Sequence, residues 1–424
     1  NQVEKSSETE REEIWKTMGK NIRTLKANLL EHSDYFLEDV FTHDAEEISN
    51  HFSKRFQEEQ IIQIMDGLSL TFQSLKNINK DHIFLGNPVH EKPFIKVDQK
   101  SYFSIIAHMF AHLGMDILET FISKNEKLKE KYSLKKGEFL EKKVESLFRK
   151  SFPNSQIFIG SMWQCQNEQK IFENDLLMII EEFAIIVECK SATVTPPARR
   201  GAPKRLFRTI QDLIVEPSEQ AIRFENFLKE NEKVYEFKTK SGGKNFVDTT
   251  NVKYYVPLGI TLSNLGSVGC NLKKLINAQI IPHKLNQLAP SISYTDLEII
   301  FDILTLQSEK IHYLSRRREF EAHMNFHGDE LDLFGFYLDN GFNIGETEYE
   351  GNIYFNLTLK SKVLDPYYIG KYRGVRVKKP TLEKSQYWSD LLNMIEKRAK
   401  NWLLAGYILL NLPKEDQLKY EKNL

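Results

Sequence analysis

Residues 173–190 read ENDLLMIIEEFAIIVECK: two short apolar runs, 176–180 and 183–187, parted by Glu181-Glu182 and closed by Glu188-Cys189-Lys190. Runs of about five aliphatic and aromatic residues are too short for helices, and their bounding polar pairs predict two buried strands joined by a hairpin turn. Side chains alternate across a strand, so Glu188 and Lys190 are expected on one face and Cys189 on the other. If the strands pair, Asp175 at the start of the first approaches Glu188 at the end of the second.

Two carboxylates side by side repel unless a divalent cation lies between them. Mg²⁺ suits such a place, with Mn²⁺ as a substitute, because it binds through few carboxylates and keeps waters in its shell. An ammonium on the same face, Lys190, is placed to orient a water or to stabilise charge developing on phosphorus.

The flanking sequence adds three segments. Residues 137–141, GEFLE, open an amphipathic helix with Val144, Leu147 and Phe148 on its apolar side. Residues 220–224, QAIRF, lie in a second helical stretch, and residues 253–262, KYYVPLGITL, read as another buried strand. In this order the chain resembles the PD-(D/E)XK nuclease superfamily, to which restriction endonucleases and many repair nucleases belong, over roughly residues 131–306. The resemblance implies an α/β fold: a restriction endonuclease-like mixed-sheet core flanked by helices. It implies that Asp175, Glu188 and the backbone carbonyl of Cys189 hold Mg²⁺, that Lys190 positions the attacking water, and that Glu141 on the first core helix supports a second ion. Gln220 is similar to the glutamine motif of some branches. The chain departs from the pattern in carrying Asn174 where the family has proline before its first aspartate, and in the long linker 193–208.

That linker holds Arg199, Arg200, Lys204, Arg205 and Arg208 with no acidic residue, interrupted by Gly201 and Pro203. Glycine and proline predict an irregular, mobile arm beside the catalytic strand, able to follow the phosphates of DNA. Base-specific contacts do not follow from it. With 58 basic and 59 acidic residues the chain has a formal net charge of −1, so any hold on a phosphate backbone must come from such local patches.

Cys165, Cys189 and Cys270 are far apart and form no C-x-x-C pair, so neither a disulfide framework nor a zinc ribbon is expected, and a cytoplasmic setting fits. His312, His323 and His327 with Asp329 lack a defined third ligand, and no zinc site is assigned to them. No apolar run reaches about 18 residues and no basic-then-apolar start is present, so no membrane span or signal peptide is expected. The chain opens on Asn1, which leaves a natural start upstream open. Residues 1–130 are expected to be mainly helical, with Ile14, Trp15, Met18, Ile22, Leu25 and Leu29 at helical spacing. Residues 307–424 are expected to form an α+β region that positions substrate or a partner.

The expected function is hydrolysis of phosphodiester bonds in DNA, in restriction or antiphage defence, by a homodimer or higher oligomer under a regulatory protein's control. The alternatives are a catalytically silent nucleic-acid-binding scaffold, or an effector subunit that waits for an activating partner. No Walker motif is present to supply nucleotide control from within the chain.

Overall fold

The computed structural model describes residues 30, 33–34, 37, 39–78, 80–82, 87–104, 109–164, 170–199, 201–230, 233–350 and 353–423. The expected N-terminal stripe from Ile14 to Leu29, together with Cys165 and Arg200, lies outside them. The chain divides into two units at Lys129/Glu130, close to the boundary expected at residue 130. Among the described residues no helix is long and apolar enough to cross a membrane.

The first unit is not simply helical. Helices Ala45–His51 and Glu58–Gly67 accompany short strands Thr42–Asp44, Ser101–Phe103, Phe94–Lys96 and Ser69–Leu70, which pair in that order. Strands of two or three residues fall below the length at which alternation can be read, which is why the expectation of a mainly helical region missed them. Ala45, Ile61, Met65 and Tyr102 form its small core.

The second unit is built on a mixed sheet. Helix α1 (Glu126–Ser151) is followed by strands β1 (Gln156–Gln164), β2 (Ile171–Ile180) and β3 (Phe183–Lys190). Next come helices α2 (Pro203–Ile210) and α3 (Glu216–Glu230), strands β4 (Val234–Thr239), β5 (Lys244–Asp248), β6 (Tyr254–Thr261) and β7 (Ser291–Ser293), and helix α4 (Tyr294–Ile303). The described strands of this sheet lie in the order β7-β6-β3-β2-β1-β4-β5. The pairs β7–β6 and β6–β3 are parallel; β3–β2, β2–β1, β1–β4 and β4–β5 are antiparallel.

The expected hairpin forms with Ile180 opposite Phe183. Glu181 takes φ +46° to close the turn, and its carboxylate accepts the Leu403 N–H at 3.2 Å. β2 and β3 read as continuous apolar runs because both faces of the sheet are covered. Leu176, Met178, Phe183, Ile185 and Val187 pack with Leu140, Val144, Leu147 and Phe148 of α1. Leu177, Ile179, Ala184 and Ile186 pack with Ala221, Phe224 and Leu228 of α3. Each such side chain contributes about 1.5–3 kcal/mol by leaving water.

Residues 307–424, expected as a separate region, share the first of these cores. Helices α5 (Gln307–His323), α6 (Glu330–Asn340), α7 (Gln386–Arg398) and α8 (Trp402–Leu410) bring Tyr313, Phe320, Phe334, Leu392 and Leu403 into the cluster that holds Leu140 and Val187. Tyr407 of α8 lies 5.3 Å from Phe183, ring centre to ring centre. Their strand content among the described residues is slight: Asn325–His327 paired with Tyr354–Asn356.

The linker 193–208 is a correction. A helical turn, Pro196–Arg199, precedes Gly201, and α2 begins with Pro203 in its first turn. Proline at the start of a helix loses no hydrogen bond and supplies the required φ, so it opens the helix that it was expected to forbid. Gly201 at φ +76° makes the break between the two pieces.

Candidate active site

The β2–β3 register ends at Leu176↔Val187, and Asp175 and Glu188 are the next residues along the two strands. Strand alternation does as expected: Cys189 packs against the α1 side of the sheet, while Lys190 faces Glu216 at the start of α3, 3.7 Å away. Gly259 on β6 pairs with Glu188, and a Cβ there would meet Pro217 at 3.5 Å and Ser291 Oγ at 3.3 Å. The start of α3, which carries Glu216 and Gln220, thus packs within van der Waals distance of a Cβ at Gly259.

A cleft of about 300 Å³ lies at the carboxyl end of β3. Asp175, Glu188, Cys189 and Lys190 form its floor, with Glu141 from α1 and Gln220 from α3 on its walls. All the catalytic and metal-binding candidates therefore meet in one place. Sequence reading missed six further lining residues, the polar Lys170, Glu173 and Arg223 and the aromatic or aliphatic Trp163, Ile171 and Phe172. Arg223 follows Gln220 by three positions and so shares its helix face, a signal that was present. Its guanidinium stacks over Phe172, 4.6 Å from the ring centre. Lys240, from the turn between β4 and β5, forms an ion pair with Glu173. Only tertiary contact brings it there.

The acids of the cleft crowd one another. Burial raises the Asp175 carboxyl to about 6, with the neighbouring charges of Glu141 and Glu173 adding to the rise. The Cys189 N–H, donating to Asp175 Oδ2 at 2.7 Å, and the Lys190 charge oppose it. Glu188 is 3% exposed, and burial first, then the charge of Asp175, pushes its carboxyl well above the usual range. Asn174 Nδ2 donates to Glu188 Oε1 at 2.9 Å and to the Val187 carbonyl at 3.1 Å. Glu141 is raised more mildly, by loss of water around its carboxyl and by Glu173.

Among the described residues no group of three or more His, Cys, Asp or Glu is gathered tightly enough to hold a metal ion by itself. Two carboxylates and a backbone carbonyl are the sparse set of hard oxygens that Mg²⁺ accepts while keeping its waters. Burial is the first cause of both rises, and the charge of Asp175 adds to that of Glu188; a cation between the two carboxylates would relieve this repulsion. The donor set fits the expected ion.

The basic residues sit on surface helix. Arg199 ends its helical turn, and Lys204, Arg205 and Arg208 are exposed on α2. Lys204, Arg205 and Arg208 have no acidic partner among the described residues.

No family model and no curated protein sequence matches the chain. Among solved structures it is similar to the crystal structure of protein VC1899 from Vibrio cholerae, at 11% identity and a TM-score of 0.18 over 53% of this chain. The match spans 41% of that protein's chain. So low a TM-score carries no argument about fold or activity.

Proposed function

We propose that the chain is a Mg²⁺-dependent nuclease that hydrolyses phosphodiester bonds of DNA from a restriction endonuclease-like core, in restriction or antiphage defence. The observation that carries this reading is the meeting of Asp175 and Glu188 across the β2–β3 pair, with Lys190 beside them and Glu141 and Gln220 on the walls of the same cleft. The order helix, three antiparallel strands, helix and, after the β4–β5 pair, a strand parallel to β3 supports it.

Asp175, Glu188 and the Cys189 carbonyl would hold the ion, and Glu141 would support a second. Bound there, Mg²⁺ supplies a water of lowered pKa and charge opposite the phosphoryl oxygens. Lys190 points its ammonium from the same strand face, where it orients the attacking water and stabilises the negative charge of the transition state. Its partner Glu216 limits where that ammonium can go. Gln220 and Arg223 offer donors to the phosphate or to the water from the wall formed by α3. Lys204, Arg205 and Arg208 attract the backbone outside the cleft.

The test is cleavage of supercoiled plasmid and linear duplex in Mg²⁺, Mn²⁺ or EDTA by the parent chain, Asp175→Ala and Lys190→Ala. Metal-dependent nicking or linearisation that disappears in both variants supports the nuclease. DNA binding without cleavage by the parent points instead to a silent scaffold or to an effector that needs a regulatory partner. Full activity in Lys190→Ala removes the catalytic role from this site.

A further inference from the structure

We infer that Asn174 is a positioning residue of this site: its amide fastens one oxygen of Glu188 to the fold and leaves the other as the single oxygen offered to a cation. The inference rests on the metal-binding reading given above. Asn174 is completely buried, and its Nδ2 donates both to Glu188 Oε1, at 2.9 Å, and to the Val187 carbonyl, at 3.1 Å. A carboxylate and a carbonyl can only accept, so the amide must turn its NH₂ toward them, and both its protons are used.

The opposite end of the amide shows that packing is not the reason for this residue. Asn174 Oδ1 is buried with no hydrogen-bond partner. A leucine of similar shape would fill the same space without leaving a polar atom unsatisfied. What asparagine adds is the two donated bonds, and one of them goes to a proposed metal ligand. The proline of the resembling family has no side-chain donor, so the departure at this position brings a contact that proline cannot make.

Asp175 is treated in a parallel way, since the Cys189 N–H occupies its Oδ2. Each carboxylate is tied to the fold by one oxygen, which leaves Glu188 Oε2 and Asp175 Oδ1, on two residues that line the cleft, as the oxygens for a cation. A pair offering one oxygen each suits a small cation that keeps several waters in regular geometry. Partners that orient a metal ligand in this way typically account for 10–100-fold in affinity.

The experiment measures Mn²⁺ binding, from the free Mn²⁺ signal in electron paramagnetic resonance, at fixed pH on the full chain. The variants are Asn174→Leu, Asp175→Ala, Glu188→Ala and the double variant Asn174→Leu/Glu188→Ala, with Asn174→Ala in place of the leucine should that fail to fold. Expected are clear binding by the parent, loss in Asp175→Ala, and binding about 10–100-fold weaker in Asn174→Leu, with metal-free thermal unfolding in EDTA no lower than the parent's. Adding Asn174→Leu to Glu188→Ala is expected to cause no further loss at millimolar Mn²⁺. Parent-like affinity in Asn174→Leu, or the same loss in the Glu188→Ala background, overturns the positioning role while leaving the metal site standing. A parent that does not bind Mn²⁺, or an Asp175→Ala that binds as the parent does, overturns the metal reading and this inference with it.

Discussion

Lys190 is the residue where structure and chemistry separate most cleanly. Its ion pair with Glu216 is long, at 3.7 Å, and Glu216 is half exposed, so the pair adds little to stability. Lys190→Ala is therefore expected to keep the parent's melting temperature to within a few degrees and to lose at least about 100-fold in single-turnover cleavage, the usual cost of a lost transition-state donor. Asp175 makes the opposite prediction. Its folded carboxyl titrates near 6 against an ordinary value of 3.8, so between those values the folded chain binds more protons than the unfolded chain. Metal-free stability must then fall as pH rises through this window. Asp175→Asn removes the effect, so its advantage over the parent in urea melts with EDTA should grow from pH 4 to pH 7, up to about 3 kcal/mol. An advantage that shrinks with rising pH would contradict the assignment. Saturating Mg²⁺ should reverse the parent's trend, because the cation binds only the deprotonated carboxylates.

Among the elements, the β2–β3 hairpin and α1 were legible because their apolar runs and 3–4 residue spacing are strong local signals. Helix α2 was not. Gly201 and Pro203 were read as interruptions, yet one sits between two helical pieces and the other starts the second, which is where their backbone preferences place them. The charges of α2 are thereby held on a regular surface. Lys204→Ala/Arg205→Ala/Arg208→Ala is expected to weaken DNA binding similarly for all sequences. It should also flatten the dependence of log K on log salt by up to about 2.7, at roughly 0.9 per phosphate contact. Fluorescence anisotropy at several salt concentrations measures this, and an unchanged slope would remove α2 from the DNA path.

In the molecule as a whole, the apolar cluster beneath β3 is completed from the far end of the chain. Tyr313, Phe320, Phe334, Leu403 and Tyr407 cover the face formed by Leu140, Phe183 and Val187. A fragment ending at residue 306 would leave that surface in water. It is expected to bind 8-anilinonaphthalene-1-sulfonate and to melt without a cooperative transition, whereas residues 130–424 should melt as one unit; a cooperative melt of the shorter fragment would show the two parts to be independent. From the sequence alone came the paired central strands with Asp175, Glu188 and Lys190 at their ends, because alternation is a property of neighbouring residues; the α/β class and the candidates Glu141 and Gln220 came from the order of motifs along the chain and what its resemblance implies. Tertiary structure alone decided that the C-terminal helices belong to this core, that Lys240 reaches Glu173, and that Asn174 faces Glu188. Those contacts join residues far apart in the chain or depend on the turn of a single side chain, and no local periodicity encodes either.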